Sequence, residues 1–188
     1  MARVLIPLAP GFEEIEAVST IDVLRRADVE VVVAAVGDGG SVVGSHGIAV
    51  RAEVRLRDVR DEEFDAVILP GGEPGVTNLD ADPDVTAVVE RQARAGRPLA
   101  AICAAPRLLA QRGLLRGREA TSHPSVGSHL RAGGAAYDDA HRVVRDGMLL
   151  TSRGPGTAIE FALETLEMLG LGARATELRR AMLVAAPD

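Results

Sequence analysis

Four short apolar runs constrain this chain most: residues 4–8, 29–36, 66–69 and 99–102. Each is long enough for a buried strand and too short for a buried helix, and each is nearly free of polar residues. A strand without a polar side must be covered on both faces. That is the situation in a parallel sheet held between two layers of helices. The segments between the runs carry helical spacing. Ile15, Val18, Ile21 and Leu24 recur at helical intervals behind an acidic first turn that complements the helix dipole. This predicted helix starts near Glu13 and closes on Arg25-Arg26. Asp28 follows at the stop position, where the left-handed conformation is needed and Asp tolerates it better than most residues.

Further helices are expected over residues 83–95, with Pro83 in the first turn, over 106–111 behind Pro106, and over 157–169 and 173–183. Residues 37–47 read as a hairpin or loop, and 48–56 alternate in part, as edge strands do. Asp146-Gly147, between Val143-Val144 and residues 148–151, is a strong hairpin signal. Strands alternating with helices predict an α/β fold. It is a doubly wound sheet with helices on both faces, a three-layer sandwich, plus a small β-hairpin. No linker or repeat interrupts the pattern, so residues 1–188 are expected to form a single domain.

Composition narrows the function. Aromatics are limited to Phe12, Phe64, Tyr137 and Phe161, so the core must be built from Val, Leu, Ile and Ala. The net charge of −6 gives no basic patch for nucleic acid. Lysine is absent, which removes Schiff-base and lysine general-base chemistry. The single cysteine allows neither an intramolecular disulfide nor a thiolate zinc cluster. No stretch approaches a membrane span. The opening apolar run is too short for a secretion signal and acidic residues follow it, so the expected location is the cytoplasm.

In open α/β sheets ligands bind outside the carboxyl ends of the strands. Three strand-end loops carry chemistry there: Glu13-Glu14-Ile15-Glu16, Pro70-Gly71-Gly72 and Cys103-Ala104-Ala105-Pro106. Cys103 lies between a buried strand and a helix, as in a nucleophile elbow. A helix start stabilises the reactive thiolate. Position alone also allows Cys103 to be a small buried hydrophobe. Gly71-Gly72 can present amides to an anion beside the sulfur, or simply end a strand. Glu16, among apolar neighbours, is a candidate for a raised pKa and proton transfer. Glu13 and Glu14 read as solvated helix charges.

His123, in Thr121-Ser-His-Pro, is either a base for Cys103 or a structural loop residue. His46, His129 and His141 have no ligand-like spacing, so no metal site is expected. Thr151-Ser-Arg-Gly-Pro-Gly-Thr reads first as a tight turn feeding a helix, with Ser152 and Thr157 as possible caps. Arg153 in that turn can face an anion.

The stretches Gly11-Phe-Glu-Glu-Ile-Glu, Ile21-Asp-Val-Leu-Arg-Arg-Ala, Leu69-Pro-Gly-Gly, Ala100-Ala-Ile-Cys-Ala-Ala-Pro, Ser122-His-Pro and Thr151-Ser-Arg-Gly-Pro-Gly-Thr together resemble the DJ-1/ThiJ/PfpI superfamily, its DJ-1 branch above all. The resemblance runs from about residue 3 to residue 184. It implies a flavodoxin-like sandwich, a homodimer, and Cys103 as nucleophile and redox centre. Glu16 would be the protonated partner of the sulfur. Gly72 and Ala104 amides would form the anion hole, His123 would line the pocket, and Arg26 would lie near the dimer interface.

It also implies a glutathione-independent glyoxalase or protein deglycase acting on methylglyoxal-type α-oxoaldehydes or their early adducts, without cofactor or metal. The implied partners are small reactive carbonyl compounds or glycated proteins. The alternative it implies is a redox-sensing stress chaperone that works by oxidation of Cys103. Four departures qualify the match. Ala105 stands where relatives often have glycine, and His46 replaces an interface arginine. Accessory cysteines are missing. Ala104 stands where PfpI-type proteases carry histidine, which argues against a protease.

Overall fold

The computed structural model describes residues 1–185. In chain order the first half holds β1 (Arg3–Leu8), α1 (Glu14–Arg26), β2 (Glu30–Ala35), β3 (Ser41–Val43), β4 (Ala49–Arg51), β5 (Val54–Arg55), α2 (Leu56–Val59), β6 (Ala66–Leu69), α3 (Gly75–Ala81) and α4 (Pro83–Arg94). The second half holds β7 (Leu99–Ile102), α5 (Pro106–Gln111), β8 (Glu119–Ala120), α6 (Gly127–Ala132), β9 (Ala136–Tyr137), β10 (Val143–Asp146), β11 (Leu149–Ser152), α7 (Ala158–Met168) and α8 (Gly172–Ala181).

The main sheet has seven strands in the order β10-β11-β7-β6-β1-β2-β5. Every neighbouring pair is parallel except β10 and β11, the hairpin expected around Asp146-Gly147. From β1 the chain moves to β2 on one side, then crosses to β6 on the other. This reversal opens a crevice at the carboxyl ends of β1 and β6, where a doubly wound sheet places its ligand site.

Side-chain alternation explains why the strands look apolar throughout. Val4, Ile6, Leu8, Ile68 and Ile102 face one core with Phe161, Leu163 and Leu166 of α7 and Leu178 of α8. Leu5, Val67, Leu69 and Ala101 face the other, against Leu79, Val88, Val89, Leu108 and Leu130. Each run therefore fills two cores at once, and both cores are mainly aliphatic. The α1 helix ends as the sequence suggests, with Asp28 left-handed at φ 60°.

The hairpin expected in 37–47 is β3 pairing antiparallel with β4, and an edge strand expected in 48–56 is β5, which joins the main sheet at its edge. Other elements differ from the expectation. The helix α3 was not expected. It is short, and only Val76 and Leu79 carry its buried apolar spacing. The parallel pair β8–β9 has two residues per strand, below what periodicity can register. Thr157 belongs to a 3-10 turn, Pro155–Thr157, rather than to the helix that follows.

Candidate active site

Three connections meet at the crevice: the start of α1, the turn after β6, and the turn after β7. Cys103 sits at the last of these with φ 65°. A non-glycine residue pays on the order of 1–2 kcal/mol for that conformation, so the surroundings must hold it there. They do so through its backbone. The Cys103 N–H donates to Ser152 O at 2.9 Å, and His123 N–H donates to Cys103 O at 2.8 Å. The side chain is thereby thrust out of the sheet end, partly buried. Ala105 adopts an ordinary helical geometry, φ −63° and ψ −30°, so its methyl group causes no strain in the elbow.

Glu16 is fully buried beside the cysteine. Its Oε2 accepts from Gly71 N–H at 2.8 Å. Its Oε1 is buried with no hydrogen-bond partner. The space between carboxyl and sulfur is narrow. A Cβ on Gly71 would fall 2.6 Å from both Cys103 Cβ and Glu16 Oε2. Gly72 is equally confined: at φ 91°, a Cβ there would stand 2.4 Å from Glu13 N and 2.6 Å from Gly11 O.

The two titrating groups are coupled. Burial pushes the Glu16 carboxyl up to about 7, against hydrogen bonds from Cys103 and the Gly71 amide, with the Glu13 charge adding to the rise. Burial likewise pushes the Cys103 thiol up to about 12, helped by the Glu16 charge and opposed by the Ala104 and Gly72 amides. A charge on Glu16 disfavours a second charge on Cys103, because adjacent buried negative charges repel. The Ala104 and Gly72 amides favour the thiolate, and the Gly71 amide favours the carboxylate.

His123 and Gly154 border the sulfur. The His123 Cδ2 and Cys103 Sγ lie 3.7 and 4.0 Å from the point where a Gly154 side chain would begin. His123 Nδ1 accepts from Ser125 N–H at 3.3 Å. Nδ1 also lies 2.7 Å from Ser125 Oγ, and the two contacts hold the ring at the edge of the pocket. Ser152 and Thr157 hydroxyls join at 2.6 Å, and Thr157 Oγ1 donates to Gly154 O at 2.8 Å. The turn is thus fixed as expected. The Arg153 guanidinium donates to Asp139 O, fastening the rim.

Other residues fall elsewhere. The Gly71 amide serves the Glu16 carboxyl, and the amides that favour the Cys103 thiolate are those of Gly72 and Ala104. Arg26 lies at the far end of α1 and pairs with Asp22 at 2.8 Å.

Glu13 and Glu14 are buried, contrary to the reading of them as solvated charges. Glu13 Oε2 caps the helix by accepting from Glu16 N–H at 2.7 Å. Glu14 binds the turn of the β3–β4 hairpin, accepting from His46 N–H at 2.7 Å and Ile48 N–H at 3.3 Å and meeting His46 Nδ1 at 2.9 Å. A Cβ on Gly44 would fall 2.4 Å from that carboxyl. Although burial works against ionisation, these hydrogen bonds hold Glu14 down at about 2. Glu13, Glu14 and His46 also place one potential ligand atom each within 4.8 Å of one another, a grouping that sequence spacing could not reveal. The internal hydrogen bonds of Glu14 account for that arrangement. The sequence signal for all this was slight: one glutamate at the cap position and another directly behind it.

A doubly wound sheet with a left-handed cysteine at a strand end, a buried carboxyl beside it and two neighbouring amides that favour its thiolate defines a class of cysteine-centred α/β proteins. Residues 2–168 match the sequence model of the DJ-1/PfpI family. The chain belongs to that family. It is 41% identical over 181 residues to protein dj-1beta of Drosophila melanogaster, covering 96% of each chain. It is 40% identical to protein DJ-1 homolog A of Arabidopsis thaliana over 97% of this chain, but spans only 46% of that relative's length. A Caenorhabditis elegans relative named glutathione-independent glyoxalase DJR-1.2 is 37% identical over 168 residues, covering 89% of this chain and 88% of the other. Among solved structures, Drosophila melanogaster DJ-1beta superposes with a TM-score of 0.94 at 40% identity, covering 98% of this chain and 99% of that one. Oxidised Toxoplasma gondii DJ-1 gives 0.93 at 38% identity, covering 99% and 100%.

Proposed function

We propose that the protein is a cysteine-dependent, glutathione-independent glyoxalase acting on methylglyoxal-type α-oxoaldehydes, with protein deglycase activity on their early adducts. The observation that carries this reading is Cys103 presented on a left-handed turn beside the fully buried Glu16 carboxyl, close enough that a Gly71 side chain would meet both at 2.6 Å. A nucleophile beside an acid–base group is what this isomerisation requires.

The Cys103 thiolate adds to the aldehyde carbon, and the oxyanion formed takes the Glu16 proton, giving a hemithioacetal and leaving Glu16 as carboxylate. The Gly72 and Ala104 amides steady that oxyanion. The Glu16 carboxylate then removes the proton from the former aldehyde carbon and returns one to the neighbouring carbon through an enediol. The product is a lactoyl thioester on Cys103. Water hydrolyses it, releasing lactate and restoring the thiol. Carbon, oxygen and hydrogen balance as methylglyoxal plus water giving lactate. His123 would line the pocket beside the substrate. The name of the Caenorhabditis elegans relative supports this chemistry. The test is lactate formation from methylglyoxal by purified protein without glutathione. Many turnovers per cysteine are expected. Full activity in Cys103→Ser refutes the mechanism.

A second reading draws on the same amides. A cysteine oxidised to sulfinate would receive the Gly72 and Ala104 donors and a proton from Glu16. The oxidised Toxoplasma gondii relative supports it. Mass spectrometry after mild peroxide is the check, and an unmodified Cys103 beside oxidised control thiols rules it out.

The active form is proposed to be a cytoplasmic homodimer. Ile15 and Val18 on α1 are 56% and 45% exposed, and Val43 and Ile48 of the β3–β4 hairpin are 50% and 59% exposed. Glu14 and the bond from Gly11 N–H to Val43 O at 2.8 Å fasten these two elements together. Together they offer apolar surface for a second copy, with His46 beside it. Among the described residues no helix is long and apolar enough to cross a membrane.

A further inference from the structure

Gly72 and Ala104 supply the two amides that favour the Cys103 thiolate, yet they belong to different loops. A two-part anion hole works only if the parts keep their spacing. The Gly72 turn is well attached on its α1 side. Glu13 N–H donates to Gly71 O at 2.9 Å and Gly75 N–H to Gly11 O at 3.1 Å. Asn78 Nδ2 donates to Pro10 O at 2.8 Å. None of these bonds reaches the cysteine's own helix.

Arg107, in the first turn of α5, makes that connection. Its NH2 nitrogen lies 2.9 Å from Glu73 Oε1, and Glu73 directly follows Gly72. The same nitrogen donates to Thr77 Oγ1 at 3.3 Å. Thr77 Oγ1 in turn donates to Glu73 Oε2 at 2.8 Å. The backbone N–H of Arg107 donates to Ala104 O at 3.1 Å. One residue therefore bonds to Ala104 through its backbone and to the neighbour of Gly72 through its side chain. Its Nε is buried without a partner, so the polar contacts of the guanidinium fall on Glu73 and Thr77. A second arginine, Arg112, ties α5 to Asp80 at 2.5 Å, but that contact holds the far end of α3, away from Gly72.

We infer that Arg107 is a positioning residue which, through Glu73, fixes the Gly72 amide over the Cys103 sulfur. It touches no substrate. The inference rests on the anion hole of the proposed function, and its test reads the thiol directly. The Arg107–Glu73 pair is partly exposed, at 19% and 46% of the side chains. Its effect is expected on amide placement more than on stability.

The experiment is alkylation of Cys103 by iodoacetamide across pH in wild type, Arg107→Ala, Arg107→Lys, Glu73→Ala and the double alanine variant. Loss of the clamp weakens a donor to the thiolate, so the midpoint should rise by half a pH unit or more. Alkylation below the midpoint should then slow about threefold or more. Arg107→Lys should recover part of the shift, and the double variant should be no worse than Arg107→Ala. On methylglyoxal, kcat should fall with KM little changed. An unchanged alkylation profile in both alanine variants overturns the inference, even if their melting temperatures drop. Should Arg107→Ala fail to fold, the more exposed Glu73→Ala decides alone. If wild type does not turn over methylglyoxal, the catalytic reading falls, while the alkylation profile still decides the clamp.

Discussion

Replacing Gly72 by alanine is the sharpest perturbation of the site. The new methyl carbon would lie 2.4 Å from Glu13 N, 2.6 Å from Gly11 O and 2.6 Å from Phe12 C. All three are backbone atoms that cannot rotate away, and the nearest is about 1 Å inside ordinary contact. Alanine must also hold φ 91°, at a further cost of about 1–2 kcal/mol. The loop can relieve the overlap only by moving on the order of 1 Å, which takes the Gly72 amide off the sulfur. Losing one donor of this kind lowers kcat by roughly 10²–10³-fold. The stability loss should be about 2–4 kcal/mol, read as a melting temperature lower by roughly 5–15 °C. Gly156→Ala is the matched control: it lies near the same pocket, a Cβ there meets nothing within 4 Å, and its φ is unexceptional. The assays are thermal unfolding and single-turnover reaction with methylglyoxal. If Gly72→Ala matches wild type in both, the close approach of the two loops does not set the site.

Glu16→Gln should remove the ionisation near 7. The folded pKa of Glu16 lies above its unfolded 4.5, so wild type loses stability as pH rises from 4.5 to 7, by up to about 3 kcal/mol. Urea titrations of the Gln variant should lack that fall. A parallel pH dependence in both proteins would contradict a buried acid. Glu14 works in the opposite sense. Its contribution is complete above 4.5 and disappears as pH falls toward 2, so Glu14→Gln should flatten the acid limb of the same curve. Ile48→Asp should shift the protein toward monomer in analytical ultracentrifugation; an unaltered sedimentation profile argues against the α1–hairpin surface as the contact. Phe161→Ala, fully buried against the sheet, should cost about 3–5 kcal/mol in chemical denaturation without altering the alkylation profile of Cys103.

The fold was readable because its strands are buried on both sides. Leu5 and Ile6 serve opposite cores, so no polar residue interrupts the run and each strand stands out. Cys103, Gly72 and Ala104 stood out as candidates because they follow the ends of β6 and β7, and Glu16 because it lies in the first turn of α1 among apolar neighbours. The roles of Glu13 and Glu14 were hidden. Whether a helix-start glutamate is solvated depends on what packs over it, and here that is a hairpin brought back from residues 44–48. Arg107 and Glu73 were hidden for a similar reason. Their pairing exists only after β6 and β7 align side by side, and an arginine beside a proline carries no local signal. His46 was visible as a substitution, but its contact with Glu14 required the same folded hairpin.

The left-handed backbone at Cys103 makes reactivity and stability competing properties of a single position. Glycine adopts φ 65° without penalty. Cys103→Gly should therefore relax the elbow and offset much of the loss of the buried side chain, whereas Cys103→Val should be strongly destabilising. Cysteine at this position trades structural ease for a presented sulfur, and it ties the placement of that sulfur to the rigidity of Ser152 and His123 on either side.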